Sequence, residues 1–268
     1  MHRFWNIIIE PLFKEIKPKY IIEIGSFTGI NTKNLLNYCK QYNSKLTSID
    51  PKPHFNVTKF KNEFYGNFEM IEDISLNCLP HLNNYDTILI DGDHNWYTVY
   101  NELKLIEKKF NQKTFPFILL HDISWPYGRR DAYYCPTNIP KNFLNKYEKL
   151  GVAPNQKELL KNGGINPTIN HAITEYTDRN GVLTAIENFL NETKLNLSFY
   201  KINGFNGMGI IYAKNKSTYD LINKTVYKSN IGEIVEKQFY IELIKKDIQL
   251  NNKNKEIEKL KKLNKTIK

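Results

Sequence analysis

The stretch YIIEIGSFTG, Tyr20 to Gly29, decides the fold by the way it changes character halfway. Tyr20–Ile24 is a short apolar run of the kind that forms a buried strand. Gly25 and Gly29 then bracket a turn, and Asn31–Tyr42 carries Leu35, Leu36 and Cys39 at helical spacing. Glycines let the backbone bend tightly and approach a ligand with no Cβ in the way. The helix that follows offers unpaired N–H groups and a positive dipole end to a carboxylate or phosphate.

Outward from this unit, apolar runs keep alternating with amphipathic stretches. A helix is expected over Trp5–Ile16. Further strands are expected at Lys45–Ile49, Glu69–Ile71, Tyr85–Ile90 and Phe117–Leu120, with a helix over Tyr97–Phe110. Leu197–Ile202 and Gly209–Ala213 read as an antiparallel pair around a turn containing Gly204 and Gly207. Together these predict an α/β fold, a Rossmann-like seven-stranded sheet with helices on both faces. Residues 124–190 interrupt the alternation with a segment rich in Pro, Gly, Tyr and Arg, including Gly163, Gly164 and a helical stretch Gly181–Leu190. Long irregular segments after the carboxyl end of a strand usually carry function, so this one is expected to cover an acceptor site.

The expected division is a domain over residues 1–213 and a basic, coiled-coil-like helical tail over 214–268. The tail places Ile241, Ile244, Ile248, Ile257, Leu260 and Ile267 at heptad-like intervals, broken around 251–255. It is suited to self-pairing into a homo-oligomer or to a partner. Of the net charge of +10, the tail's 14 Lys against 7 Asp and Glu supply +7, leaving +3 for the rest. The charge is therefore read as compositional bias rather than a nucleic-acid footprint. No run approaches the ~20 apolar residues of a membrane span. Cys39, Cys78 and Cys135 are too few and too scattered for a disulfide framework or a zinc cluster, so a reducing cytoplasm is expected.

Chemistry should gather at the carboxyl ends of the strands. Asp50 closes the second strand, where a carboxylate can take both ribose hydroxyls, or merely serve the turn. Asp73, past the third, is placed to border an adenine. The fourth ends in Asp91-Gly92-Asp93-His94 and the fifth in His121-Asp122. Converging carboxylates repel unless a cation or a shared proton compensates, and oxygen-rich ligation suits Mg²⁺ or another divalent cation. A plainer role for Asp93 is to cap the helix that follows.

Glu23-Ile24-Gly25-Ser26-Phe27-Thr28-Gly29 is acidic-x-G-x-x-x-G, which resembles the S-adenosylmethionine (SAM) loop of class I methyltransferases and departs from the G-x-G-x-x-G of NAD folds. The resemblance implies SAM contacts from Glu23, Gly25, Ser26, Phe27, Thr28, Gly29, Asp50, Asp73 and Asp91. IDGDHNWYTVYNEL, with a later strand ending LLHD, resembles the metal-dependent O-methyltransferases that include macrocin- and novobiocin-pathway sugar methyltransferases and cephalosporin hydroxylase-like proteins. That likeness covers roughly Tyr20 to Ser124. It implies Asp91 as a metal ligand, Asp93 as general base, and completion of the metal site by the strand-five pair. Two acidic residues are common at that pair; here His121 and Asp122 stand there, leaving His121 as ligand, base or support.

The insertion WPYGRRDAYY…GGIN…RNGVLTAIENFL resembles a subgroup of bacterial methyltransferases found with polysaccharide genes, implying a glycan or other small-molecule acceptor. The expected reaction is SAM-dependent O-methylation of a sugar, sugar nucleotide or polysaccharide precursor. Asp93 or His94 would take the proton, and Arg129, Arg130, Tyr133 and Tyr134 would hold the acceptor. His171 and Arg179 are weaker candidates. An RNA-directed or other small-molecule methyltransferase and a non-catalytic interaction module are the rivals. DGDH stands where amino-directed nucleic-acid enzymes carry [D/N]-P-P-[Y/F/W], and the Pro-Cys of cytosine-carbon enzymes is missing.

Overall fold

The computed structural model describes residues 1–226 and 231–266. Two compact units are present, Met1–Val226 and residues 227–268. In the first, the YIIEI run is strand β1 (Tyr20–Ile24), with four of its five residues buried. Four more parallel strands accompany it: β2 (Lys45–Ile49), β3 (Phe68–Ile71), β4 (Thr87–Ile90) and β5 (Phe117–His121). Strands buried on both faces read as continuous apolar runs, which is how TILI and FILLH were recognisable.

The connecting helices are α1 (Glu10–Ile16), α2 (Ile30–Tyr42), α3 (Val57–Glu63), α4 (Ser75–Cys78) and α5 (Trp96–Lys109). Short strands β6 (Ala132–Tyr133), β7 (Tyr147–Glu148) and β8 (Asn170–Ala172) form a separate three-stranded sheet within the 124–190 segment, in the order β6-β8-β7. Then come α6 (Val182–Glu192), β9 (Leu197–Ile202), β10 (Met208–Ala213) and α7 (Lys216–Thr225). The main sheet has seven strands in the order β3-β2-β1-β4-β5-β10-β9. The expected closing pair is antiparallel, and β10 inserts between β9 and β5, pairing Met208 with His121.

The order reverses between β1 and β4, which pair in parallel register with Ile24 opposite Ile90. Open α/β sheets form their ligand crevice at such a switch point. One face of the sheet is covered by α5 and α6, whose Val99, Leu103, Ile106, Ile186 and Phe189 pack on Ile88, Ile118 and Leu120. Each such side chain, fully buried, is worth about 1.5–3 kcal/mol of hydrophobic transfer.

The helix expected over Trp5–Ile16 is interrupted. His2–Phe4 forms a 3₁₀ turn and Trp5–Ile9 a π-helical turn before α1 begins. Pro11 has no N–H to return to Ile7, and the Glu10 N–H reaches back to the Trp5 carbonyl instead. Helices α3 and α4 add two short elements that periodicity did not suggest.

The second unit contains α8 (Ile231–Thr266), a 36-residue helix that runs through 251–255 without a break. Phe239, Ile244, Ile248, Leu250 and Leu260 are exposed on it. Ile267 lies outside the described residues. No helix among the described residues is long and apolar enough to cross a membrane.

Candidate active site at the carboxyl ends of the strands

The glycine turn after β1 is shaped first by its neighbour strand. Gly25 has φ +86°, and a Cβ there would lie 2.2 Å from the Asp91 carbonyl oxygen. Gly29 has φ +76° and sits against the Phe55 ring. Asp50, at the end of β2, holds the loop: its Oδ2 accepts from the backbone N–H groups of Ser26 (2.9 Å) and Phe27 (2.8 Å), and its Oδ1 from Lys52 N–H (2.8 Å). Phe27 and Thr28 are left exposed at the lip of the turn, with Phe27 packed against His54.

Glu23 faces inward, not toward the loop. Its carboxylate accepts from Asn31 Nδ2 (2.9 Å), Thr32 Oγ1 (2.7 Å) and Ser48 Oγ (2.7 Å), tying β1 to α2 and β2. Burial raises its pKa, and the three hydrogen bonds oppose that. Asp73 is exposed past β3, accepting from the Ile74 N–H and from Asn77 at the start of α4.

Four groups from β4 and β5 converge. His121 Nδ1 lies 3.1 Å from Asp91 Oδ1 and 2.7 Å from Asp122 Oδ2, while His94 Nε2 lies 3.0 Å from Asp122 Oδ2 and 3.8 Å from Asp91 Oδ1. Asp122 reaches this point from a left-handed backbone (φ 58°), and Asn206 donates to its free Oδ1 at 2.9 Å. Asp91 Oδ2 accepts from the Met1 ammonium at 2.7 Å.

Burial alone would raise both carboxyl pKa values, but it is outweighed. The positive charge of His121 and the Met1 ammonium hold Asp91 well below its usual range, and His94 and His121 do the same for Asp122. Burial likewise opposes a charged ring at His94 and His121, yet the facing carboxylates raise both. Asp91, His121 and Asp122 each offer an atom close enough to share one metal ion. The donor chemistry fits a divalent cation: two carboxylates carry the charge, and His121 Nδ1 lies within reach of both.

Asp93 stands beside this cluster, with Oδ2 accepting from Thr98 Oγ1 at 3.0 Å and its pKa raised by burial. The cap of α5 is Asn95, whose side chain accepts from Thr98 N–H, so Asp93 is not needed for that. Of the acceptor-binding candidates, Tyr134 meets the cluster: its hydroxyl is 3.2 Å from His94 Nδ1 and its ring is half exposed.

The other three have partners of their own. Arg129 makes a two-pronged ion pair with Glu187 on α6. Arg130, buried, donates to the carbonyls of Ala172, Ile173 and Lys157. The Tyr133 hydroxyl donates to Asp131 at 2.7 Å. His171 lies behind Tyr127, and Arg179 stacks on Trp96 and Phe143.

Two residues that sequence reasoning passed over organise the site. Tyr127 stacks on His94 with ring centroids 4.9 Å apart and planes 15° apart. Asp131 accepts from Trp96 N–H, Gly181 N–H, Tyr133 Oη and Asn145 Nδ2, joining the start of α5 to the 124–181 segment. Neither had a signal beyond its place in an irregular, aromatic-rich loop.

The sheet order, with its antiparallel strand beside β5, defines a class I methyltransferase architecture. Residues 22–123, which include the glycine turn and every member of the converging cluster, match a methyltransferase-domain family. Fold and match together make the chain an enzyme of the SAM-dependent methyltransferase class.

Among solved structures, the S-adenosylhomocysteine (SAH)-bound methyltransferase PaMTH1 of Podospora anserina is similar over 77% of each chain, with 18% identity and a TM-score of 0.49. A Klebsiella pneumoniae protein described as an O-methyltransferase covers 80% of each chain at 13% identity and TM-score 0.44. A methyltransferase from Geobacter sulfurreducens covers 76% of each at 11% and 0.40. No curated protein matches the chain.

Proposed function

We propose that the chain transfers a methyl group from SAM to a hydroxyl oxygen, with a divalent cation held by Asp91, His121 and Asp122. The observation that carries this reading is the junction of two features at one switch point. A glycine turn packs on the Asp91 carbonyl, and on the far side of the same residue two strand ends bring carboxylates and imidazoles together.

In the transfer, the acceptor oxygen attacks the methyl carbon in line with the C–S bond. That bond breaks, its electron pair stays on sulfur, and SAH is released. A hydroxyl is a poor nucleophile until its proton is removed or its oxygen is polarised. A bound divalent cation would supply that polarisation. Asp93 is the residue we assign to take the proton. Burial makes its carboxylate more basic than usual, Thr98 fixes its orientation, and it is free of the His–Asp pairs beside it. His94 and His121 already face carboxylates, so their ring nitrogens on that side are engaged within the cluster rather than turned to the acceptor.

On the donor side, Asp50 keeps the turn formed while Oδ1, with one N–H partner, retains a lone pair for a ribose hydroxyl. Tyr134, half exposed on His94, stands where an acceptor would approach. The 124–190 segment serves as cover for that acceptor. We assign the acceptor class as a sugar, sugar nucleotide or polysaccharide precursor, on the resemblance of the WPYGRRDAYY stretch.

The test is methyl transfer from labelled SAM to a panel of sugar nucleotides and capsule-type glycans, with and without EDTA, alongside calorimetry with SAH. Turnover abolished by chelator, with SAH affinity kept, is expected. Full turnover in chelator would remove the cation; absence of SAH binding would remove the reading as a whole.

A further inference from the structure

We propose that Asn206, at the tip of the β9–β10 hairpin, is a positioning residue for the cation site. Its side-chain amide fixes the Asp122 carboxylate in the orientation that turns one oxygen to the cluster, and the hairpin turn is shaped to hold the amide there. The inference rests on the reading of Asp91, His121 and Asp122 given above. It goes beyond that reading in assigning a role to the β9–β10 turn, which carries none of the three.

The two oxygens of Asp122 have separate partners. Oδ2 faces His121 Nδ1 at 2.7 Å and His94 Nε2 at 3.0 Å, whereas Oδ1 accepts from Asn206 Nδ2 at 2.9 Å. An ionised carboxylate only accepts, so the Asn206 amide meets it with its NH₂ side. Asp122 is buried, which leaves its orientation to these neighbours rather than to solvent. The last torsion of an Asp side chain is broad and has no strong preference of its own. Contacts to Oδ2 alone therefore leave the carboxylate free to rotate about that oxygen. The hydrogen bond on Oδ1 supplies the second point that fixes its plane.

The chain delivers Asn206 to this point by register. Met208 of β10 stands opposite His121 of β5, and continuing the antiparallel ladder brings residues 206 and 207 alongside 122 and 123. Both chains bend there. Asp122 has φ 58°, and Phe205 and Asn206 are consecutive left-handed residues, at φ 49° and 69°, between Gly204 and Gly207. Asn tolerates that backbone better than most residues, and a bulky side chain such as Phe adopts it rarely. Such conformations persist where the surroundings over-determine them.

The surroundings here are the residues that follow β5. The Ser124 N–H donates to the Asn206 carbonyl at 2.7 Å, and the Gly207 N–H closes the turn on the Gly204 carbonyl at 2.7 Å. A Cβ on Gly207 would lie 2.4 Å from Ser124 Oγ. Phe205 packs edge-on against Phe4, which packs edge-on against the His121 ring, each pair with centroids 5.9 Å apart. The turn thus touches Asp122 directly and backs His121 through one intervening ring. Carboxylates that bind metals are themselves held by hydrogen bonds, and losing such a partner costs roughly 10- to 100-fold in metal affinity.

The experiment uses the full chain, freed of metal with chelator, with Mn²⁺ alone as the probe and free Mn²⁺ read by electron paramagnetic resonance. SAH calorimetry and urea unfolding accompany it. Asn206→Gly is the decisive variant, because glycine accepts the left-handed backbone without penalty while removing the amide. A residue needed only for the turn would be replaced by glycine at no loss. Expected instead is a roughly 10- to 100-fold fall in Mn²⁺ affinity, with SAH affinity and the urea midpoint kept. Asn203→Ala is the control on the same turn, since Asn203 meets Ser124 Oγ and not Asp122; it should bind Mn²⁺ as the unaltered chain does.

Unchanged Mn²⁺ affinity in Asn206→Gly would overturn the proposal and leave the cation reading standing. An equal loss in Asn203→Ala would also overturn it, by showing that any disturbance of the turn suffices. Failure of the unaltered chain to bind Mn²⁺ while SAH still binds would remove the cation reading and this inference together.

Discussion

Replacing Gly25 by alanine tests whether the glycine turn and the acidic strand end form one rigid object. The added Cβ would lie 2.2 Å from the Asp91 carbonyl oxygen, 2.6 Å from its carbon and 2.7 Å from the Gly92 Cα, all backbone atoms. No side chain can swing away, so β4's end must move by about an ångström. Alanine held at positive φ costs about 1–2 kcal/mol, and forcing atoms into a packed site about 1–3 kcal/mol more. The sum is about 2–5 kcal/mol. Gly66 is the internal control: its φ is +81°, but nothing lies within 4 Å of the site of a Cβ, so Gly66→Ala carries only the first cost.

The gap of about 1–3 kcal/mol converts to about 2–12 °C in Tm for a domain of this size. Urea unfolding and calorimetry with SAH read both consequences. Gly25→Ala should unfold earlier and lose SAH affinity, and Gly66→Ala should keep it. Equal stability of the two variants, with SAH affinity retained in both, would refute the packing argument, because the clash would then have been relieved without moving Asp91.

Asp93→Asn should leave SAH affinity unchanged and lower kcat by roughly 10²- to 10⁴-fold, the usual contribution of a general base; an unaltered rate would show that the proton goes elsewhere. Asp131→Ala leaves four donors without their carboxylate, two of them backbone N–H groups. It should cost more than about 3 kcal/mol in urea unfolding, and a loss under about 1 kcal/mol would mean that water replaces it.

Glu102 gives a pH signature. Burial raises its pKa to about 8, and Oε2 has no partner. The folded state therefore keeps a proton that the unfolded chain has released, so this contribution to stability is whole below about pH 4.5 and is lost as pH rises through about 8. Glu102→Gln should flatten that fall between pH 5 and 8, read as ΔG of unfolding against pH; parallel curves for the two proteins would show that Glu102 ionises normally.

What could be read from the sequence alone was whatever local pattern determines. YIIEI, TILI and FILLH are buried on both faces, so their composition is their structure. A polar residue that ends such a strand has one place to go, which is why Asp91, Asp93, His121 and Asp122 were visible as a group.

What local pattern does not determine lies where partners are distant in sequence. Arg129, Arg130 and Tyr133 looked like acceptor ligands because Arg and Tyr in a loop suggest a surface. Their partners Glu187, Ala172 and Asp131 come from other elements and turn the same chemistry inward. Glu23 belongs to the motif by spacing, but Ser48, supplied by β2, keeps its carboxylate within the sheet.

His94 combines both cases. Its position after Asp93 was legible, whereas its orientation depends on Tyr127 and Tyr134, more than thirty residues away. Through the Tyr127 stack and the Asp131 carboxylate, the 124–181 segment sets where a residue just past β4 points. A change in that segment should alter the chemistry at Asp91 without touching it.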